Sequence, residues 1–168
     1  EWAGIINSLK VHGKGSFKYD NVRIGMNSRL DTLQAAILKP KFKAFRDYEV
    51  IDINKAAALY TEKLRDIVKT PVIPEGYYSS WAQYTIQLEN REQRDGLQSY
   101  LKENGIPSMV YYPNPMHKQT AYKDLGYKDG DFPVTEKLCS TVLSLPLHPY
   151  ISEDDISQVC YTINKFLI

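Results

Sequence analysis

The feature that most constrains the fold is a change of hydrophobic period in the second half of the chain. The segment "WAQYTIQL" alternates apolar and polar side chains, which is the pattern of a strand with one buried face. The next segment, "REQRDGLQSYLKEN", has helical composition and stops at Gly105, a residue type that commonly ends helices. "IPSMVYY" is again extended, although Pro107 restricts it to a sheet edge or a strand start. The order strand–helix–strand over residues 81–112 predicts an α/β (α+β) layer structure.

The first half of the chain is predicted to be mainly helical. Helical periodicity begins after Ser28, whose spacing to Asp31 fits a capping box. Pro40 lacks a backbone donor and is expected to kink or restart this helix. Residues 41–66 then continue as a long helix that lies across one face of the sheet.

Short elements complete the predicted fold. Residues 68–73 are expected to be extended, so that a small sheet of three or four strands forms. A helix over residues 132–145 is opened by Asp131 and Pro133. A last helix begins at Ser152, which has an acidic residue three positions later.

Composition limits the classes of function. The 168 residues are 43% hydrophobic and 24% charged, as in ordinary globular proteins, and the net charge of +1 argues against a nucleic-acid surface. The apolar runs are too short to span a bilayer, and the N-terminus has no secretory signal pattern. Cys139 and Cys160 stand far apart without metal-ligand spacing, so reduced thiols and a cytoplasmic location are expected, with no metal site.

A polar segment before the first long helix is the first candidate site. In "RIGMNSRLDTLQAAIL", Asn27 and Arg29 stand just before an apolar stripe at Leu30, Leu33, Ile37 and Leu38 that is typical of a core-facing helix. Local pattern favours capping of the helix by Asn27 and Ser28, because caps are commoner than phosphate sites. Binding of an anion at the helix start is the alternative.

A proline-stiffened loop, "YYPNPMHKQTAY", is the second candidate site. Its polar side chains can together hold a phosphorylated or hydroxyl-rich ligand: Tyr111, Tyr112, His117, Lys118, Gln119 and Tyr122. The alternative is a surface loop with a solvated histidine. His148, between two prolines, is predicted to be structural and to fix a turn after a buried strand. The sequence contains no catalytic triad pattern and no convincing carboxylate pair.

Four stretches in this order resemble the C-terminal half of the DegT/DnrJ/StrS family of PLP-dependent nucleotide-sugar aminotransferases. They are "HGKGSFKYDNVRIGMNSRLDTLQAAIL", "WAQYTIQL", "LKENGIPSMVYYPNPMHKQTAY" and "LSLPLHPYISEDDISQV". The glycine–x–Asn–x–Arg–Leu segment is the most specific of them. Together they cover nearly the whole chain.

The resemblance implies a fold-type I protein that works as a homodimer with shared active sites. It implies that Asn27 binds the phosphate of pyridoxal 5'-phosphate (PLP) in the partner's site and that Arg29 lies close to the nucleotide-sugar diphosphate. Tyr112, His117 and Gln119 correspond to a loop that lines the sugar-nucleotide site. The implied division is a tail and loop of the large PLP domain (1–30), junction helices (31–66) and a C-terminal small domain with a small sheet flanked by helices (67–168).

The implied reaction transfers an amino group from glutamate to a keto sugar linked to UDP or dTDP. The lysine that forms the aldimine lies upstream of this segment in the family, and Lys10, Lys14 and Lys18 stand in the wrong motif to replace it. The chain by itself is therefore expected to be inactive, to retain no PLP and to be a truncated part of a longer protein. A non-catalytic regulatory or ligand-binding relative and a PLP-dependent sugar dehydratase remain open alternatives.

Two further expectations follow from the resemblance. The face that packs on the large domain should be apolar and exposed here, which favours self-association. Lys118 departs from the family pattern, and its extra positive charge beside His117 could favour a phosphate-rich substrate.

Overall fold

The fold is described for residues 1–17 and 19–168 of a computed structural model, so Lys18, one of the lysines weighed above, lies outside the described residues. Two units, Glu1–Arg46 and Asp47–Ile168, are each more densely connected internally than to one another. The domain boundaries expected at residues 30 and 66 stay a prediction.

The first unit contains two helices joined by a loop that folds back on itself. Helix α1 spans Trp2–Leu9 and helix α2 spans Thr32–Ala44. Within the loop, Val11 forms an antiparallel bridge with Asn27, and Lys14 forms a second bridge with Asn21. The segment before α2 is therefore held by backbone pairing to the end of α1.

The cap of α2 is Asp31, and the predicted caps Asn27 and Ser28 are wrong. The Asp31 carboxylate accepts hydrogen bonds from the backbone N–H groups of Leu33 at 2.8 Å and Gln34 at 3.3 Å. The Ser28 N–H instead donates to the Lys10 carbonyl at 2.9 Å, because the loop pairing holds this segment in an extended conformation. Aspartate is as good a cap as serine, so the capping-box pattern placed the helix start three residues early.

The predicted restart at Pro40 is also wrong, because α2 continues through this residue to Ala44. Proline removes one helical hydrogen bond, and the carbonyl that loses its donor belongs to the exposed Ala36, where water can replace it. A π-helical turn follows at Phe45–Glu49, and helix α3 spans Val50–Leu64. The predicted long helix is thus present with a π-turn near its start.

The apolar stripe of the first unit is exposed in this chain, contrary to the prediction that it faces a core. Each of its four side chains is more than half exposed: Leu30, Leu33, Ile37 and Leu38. Phe42 extends the stripe by one turn and is 64% exposed. An apolar face is thus exposed on α2, while packing of this face on a large domain and self-association stay predictions.

The second unit is built on a two-stranded antiparallel sheet. Strand β1 spans Tyr84–Gln87 and strand β2 spans Val142–Leu145, with Tyr84 opposite Leu145 and Gln87 opposite Val142. Each edge of the sheet carries one isolated bridge, Lys69 to Gln87 and Met109 to Ser144. The α/β class is confirmed, but the three or four strands predicted are reduced to two strands and two bridges.

Proline explains why the edge segments remain bridges. Pro71 lies two residues after Lys69, and Pro107 lies two residues before Met109. A residue without a backbone N–H cannot continue the hydrogen-bond ladder between strands. The segments 68–73 and 106–112 are therefore not regular strands.

Two regular helices pack around the sheet, α4 (Arg91–Glu103) and α6 (Glu153–Leu167). Gly105, with φ +74°, ends α4 as predicted, and its N–H donates to the Lys102 carbonyl at 3.0 Å. Ser152 caps α6 as predicted, since its hydroxyl accepts from the Asp155 N–H at 3.0 Å.

The predicted helix over 132–145 divides into helix α5 (Pro133–Thr141) and strand β2. Pro133 opens α5 as expected, but Asp131 does not cap it, since its carboxylate accepts from the Lys128 N–H at 2.8 Å. The buried Arg94 side chain donates to the carbonyls of Cys139 at 3.2 Å and Val142 at 3.4 Å. These long-range bonds satisfy carbonyls at the end of α5 and favour the turn into β2.

Helix α3, helix α4 and helix α6 enclose one apolar core with the sheet. Its largest fully buried side chains belong to both strands and all three helices: Tyr60, Tyr84, Leu64, Ile86, Leu97, Leu101, Leu143, Ile156 and Ile163. The Tyr60 and Tyr84 rings stack with centroids 5.0 Å apart, and each hydroxyl has a partner. This core fixes the small sheet from which the loop of residues 113–132 departs.

Neither cysteine is paired in the described residues, and Cys160 is buried whereas Cys139 is half-buried. None of the helices in the described part of the chain is both long and apolar enough to cross a membrane.

Candidate functional site

Asn27 is presented by a tightly paired loop. The Met26 N–H donates to the Leu9 carbonyl at 2.9 Å, and the His12 N–H donates to the Met26 carbonyl at 3.0 Å. With the Ser28 bond to Lys10, these contacts fix the backbone on both sides of Asn27. The position of this side chain is thus set by main-chain hydrogen bonds to the last residue of α1 and to the residues that follow it.

Two glycines allow the loop segments to approach this closely. A Cβ on Gly25 would lie 2.3 Å from the Gly13 nitrogen and 2.5 Å from the Leu9 oxygen. A Cβ on Gly13 would lie 1.8 Å from the Arg23 oxygen, and Gly13 also has φ +77°. Neither position accepts a side chain without moving backbone.

Asn27 and Arg29 are brought together by a direct hydrogen bond. The Arg29 Nε–H donates to Asn27 Oδ1 at 3.0 Å. Because a guanidinium only donates, this contact orients the carboxamide with its oxygen toward Arg29 and its NH₂ group away from it. Within residues 1–17 and 19–168, neither the Asn27 NH₂ group nor the Arg29 terminal nitrogens Nη1 and Nη2 have a hydrogen-bond partner. Both side chains keep donors available for an anion.

His117 lies on the proline-rich loop of the second unit, on the first of two 3₁₀ turns, Met116–Lys118 and Thr120–Leu125. Its Nε2 is 3.0 Å from Glu136 Oε1, and its side chain is only 7% exposed. The alternative of a solvated histidine is therefore wrong. The ring packs against Phe132 with a centroid distance of 4.8 Å.

Lys118 is held by two carboxylates, so it does not present the free positive charge that would favour a phosphate-rich substrate. Its Nζ lies 2.9 Å from Asp129 Oδ1 and 3.2 Å from Glu136 Oε2. The ion pair with Asp129 raises the pKa of Lys118. The Gly130 N–H, which donates to Glu136 Oε1 at 2.9 Å, and then Lys118 and His117 lower the pKa of Glu136.

An apolar cavity of about 400 Å³ opens beside the His117 ring. Its lining is mainly aromatic and aliphatic and comes from the two 3₁₀ turns, the following loop and the start of α5: Met116, His117, Tyr122, Leu125, Tyr127, Phe132 and Thr135. Tyr127 and Phe132 form an edge-to-face pair with centroids 5.2 Å apart. Such a wall can accommodate the apolar face of a ring-shaped ligand.

The other predicted loop residues are more exposed. Gln119 donates from Nε2 to the Asn114 carbonyl at 3.3 Å, and Tyr112 is 70% exposed with its ring near that of Tyr111. His148 behaves as the structural residue predicted, since its Nδ1 accepts from the Tyr150 N–H at 3.2 Å in the turn after β2.

The sequence did not single out Glu136 and Phe132, which contact His117, or Asp129, which pairs with Lys118. Glu136 stands in the first turn of α5, where acidic residues are common because they interact favourably with the helix dipole. Its separation of 19 residues from His117 leaves no periodic signal. Only the fold of the intervening loop reveals the contact.

Comparison with known proteins decides the family. Residues 1–164 match the DegT/DnrJ/EryC1/StrS aminotransferase family. This chain belongs to that family. The resemblance drawn from the four sequence stretches is confirmed.

Relatives and solved structures of the family cover the chain almost completely. A UDP-2-acetamido-2-deoxy-3-oxo-D-glucuronate aminotransferase of Pseudomonas aeruginosa is 40% identical over 98% of this chain and 44% of its own length. A pleiotropic regulatory protein of Geobacillus stearothermophilus is 43% identical over 94% of this chain and 42% of its own length. The crystal structure of a family aminotransferase from Brucella abortus is 48% identical, with a TM-score of 0.89 over 98% of this chain and 43% of the other.

The chain therefore spans less than half the length of the curated relatives it matches. Aminotransferases of this family depend on PLP, and a solved neighbour of this chain contains the bound cofactor PMP. The small α/β fold predicted from the sequence is the fold of these neighbours.

Proposed function

We propose that this chain supplies the C-terminal part of a PLP-dependent aminotransferase that transfers an amino group from glutamate to a keto sugar linked to UDP or dTDP. The observation that supports this most strongly is the family match over residues 1–164 together with 40% identity to a UDP-sugar aminotransferase. The protein is proposed to act as a homodimer in the cytoplasm, with active sites shared between subunits.

Asn27 fits the proposed role of binding the PLP phosphate. A phosphate dianion accepts hydrogen bonds, and the Asn27 NH₂ group is a neutral donor whose orientation is fixed by the Arg29 contact. When bound, PLP supplies the electron sink for amino-group chemistry. The residues of this chain bind and orient, while the lysine that bonds to PLP is proposed to lie in the preceding part of the protein.

Arg29 fits the proposed role of binding the nucleotide-sugar diphosphate. Its Nε is used by Asn27, and its two terminal nitrogens remain as a planar pair of donors. A guanidinium binds phosphate oxygens by two parallel hydrogen bonds and keeps its charge at all relevant pH values. One side chain can thus orient Asn27 and hold an anionic substrate.

Tyr112, His117 and Gln119 are proposed to line the sugar-nucleotide site. The exposed Tyr112 hydroxyl and the Gln119 carboxamide offer donors and acceptors to sugar hydroxyls. The cavity beside His117 adds an apolar surface for the face of a sugar or base ring.

A regulatory binding protein is the second candidate function, and a specific observation favours it. The relative with 43% identity is named a pleiotropic regulatory protein. Such a protein would use the same ligand-binding residues without transferring an amino group.

One assay separates the candidates. This chain and the longer protein that contains it are each incubated with PLP, glutamate and UDP-2-acetamido-2-deoxy-3-oxo-D-glucuronate, and 2-oxoglutarate and the UDP-amino sugar are measured. The proposal predicts both products with the longer protein and none with this chain. Binding of the sugar nucleotide without either product would favour the regulatory function, and product formation by this chain alone would contradict the proposed need for a preceding lysine.

A further inference from the structure

Glu136 contacts both ends of the loop segment that carries His117. One oxygen, Oε1, lies 3.0 Å from His117 Nε2 and accepts from the Gly130 N–H at 2.9 Å. The other oxygen, Oε2, lies 3.2 Å from Lys118 Nζ. A single side chain from the first turn of α5 thus contacts positions 117, 118 and 130.

The contact with Glu136 determines what His117 can offer to a ligand. An ionised carboxylate only accepts, so the hydrogen must reside on His117 Nε2. In the neutral ring this leaves Nδ1 as an acceptor, and within the described part of the chain Nδ1 has no partner. The His117 ring also packs against the Phe132 ring, with a distance of 4.8 Å between the ring centroids, and this contact restricts rotation of the imidazole.

The charges around Glu136 indicate which ligand group can donate a hydrogen bond to His117 Nδ1. Lys118 is paired with both Asp129 and Glu136, so the cluster contains two carboxylates and one ammonium group. An excess of negative charge opposes a phosphate at this place. A hydroxyl is neutral and can donate to an acceptor nitrogen, so it fits the site better.

We propose that Glu136 is a positioning residue, which holds His117 so that Nδ1 accepts a hydrogen bond from a sugar hydroxyl of the nucleotide-sugar substrate. The substrate part of this inference rests on the proposed function. The positioning part does not, because it concerns contacts within this chain.

The positioning part is tested on this chain by NMR, without cofactor or substrate. In ¹⁵N-histidine spectra, the His117 signals are assigned by their loss in His117→Gln, and the tautomer is read from the two ring nitrogens. We expect the hydrogen on Nε2 in the neutral ring. In Glu136→Ala, we expect this tautomer preference to be lost and the Gly130 amide to exchange at least about tenfold faster, because an amide loses a charged acceptor.

Two variants serve as comparison. Glu92→Ala removes an exposed glutamate from the first turn of α4 and should change neither readout. Glu136→Gln keeps an acceptor oxygen and should restore part of the Gly130 protection that Glu136→Ala loses. A hydrogen on Nδ1 in the unchanged chain, or equal Gly130 exchange in Glu136→Ala and Glu92→Ala, would overturn the positioning role. If Glu136→Ala does not fold, the tautomer of the unchanged chain decides alone.

The substrate part is tested in the longer protein with the same UDP-linked keto sugar. Glu136→Ala should raise the KM for the sugar nucleotide about tenfold, with kcat changed less than about threefold, because a binding contact is lost rather than the chemistry. A fall in kcat with unchanged KM would contradict it. If the longer protein with Glu136 intact transfers no amino group, the proposed function fails, while the NMR result still decides the role of Glu136.

Discussion

Replacing Gly25 by alanine should open the loop that presents Asn27. The added Cβ would lie 2.3 Å from the Gly13 nitrogen, 2.5 Å from the Leu9 oxygen and 2.7 Å from the His12 carbonyl carbon. All three are backbone atoms, so no side chain can rotate away to relieve the overlap. The two backbone segments must separate.

The cost follows from the hydrogen bonds nearest to Gly25. Separation breaks the bond from the Met26 N–H to the Leu9 carbonyl and the bond from the His12 N–H to the Met26 carbonyl. At about 1 kcal/mol each, the loop loses about 2 kcal/mol, which is roughly a thirtyfold shift toward the open state. Amide exchange at His12 and Met26, measured by NMR, should accelerate by about this factor.

The matched control is Gly4→Ala in α1, where a new Cβ meets nothing within 4 Å. Alanine in a helix interior gains about 1 kcal/mol over glycine, so this variant should leave the loop unaffected or make α1 more stable. Equal protection of His12 and Met26 in Gly25→Ala and in Gly4→Ala would refute the argument that close backbone approach fixes the position of Asn27.

Two other predictions concern the second unit. Leu97→Ala should lower the free energy of unfolding by about 2–5 kcal/mol in a urea titration, because Leu97 is fully buried in the core. Leu125→Ala, at a residue that is 63% exposed, should lower it much less. Similar losses for the two variants would contradict the assignment of the core. Burial raises the pKa of Tyr84 to about 12, while an unfolded tyrosine ionises near pH 10, so the free energy of unfolding should fall as the pH rises from about 10 to 12. Tyr84→Phe should reduce this fall, and an unchanged slope would contradict the assignment to Tyr84.

Local sequence patterns predicted the elements whose ends are set by their own residues. Helix α4 ends at the glycine that was expected to end it, and Ser152 caps α6 through its own hydroxyl. In both cases the decisive hydrogen bonds join residues within a few positions of one another. Propensity and capping chemistry are sufficient for such elements.

Elements that depend on distant partners were predicted less well. Strand β2 was taken as helix because its apolar run fits either period, and it becomes a strand by pairing with β1, which lies 55 or more positions earlier in the chain. The cap of α2 was misplaced because Ser28 is held by Lys10 in the folded loop. Both errors arise where tertiary hydrogen bonds override a local preference.

In the candidate site, too, local sequence predicted some features, and others depend on distant contacts. Asn27, Arg29 and His117 stand in sequence stretches that resemble a family, so they could be selected from the sequence. The contacts of Glu136 and the hydrogen bond between Asn27 and Arg29 depend on how loops close, and no spacing rule encodes them. The sequence therefore predicted candidate residues, and the structure added the groups that orient them.

The most direct test of the account is the affinity of the longer protein for PLP when Asn27 is replaced by alanine. Loss of one hydrogen bond to a phosphate dianion should weaken binding roughly 10- to 100-fold in equilibrium dialysis. Asn21→Ala, in the same loop, should bind PLP as the unchanged protein does. Equal affinity of the Asn27→Ala and Asn21→Ala proteins for PLP would contradict the claim that this chain provides a cofactor-binding residue.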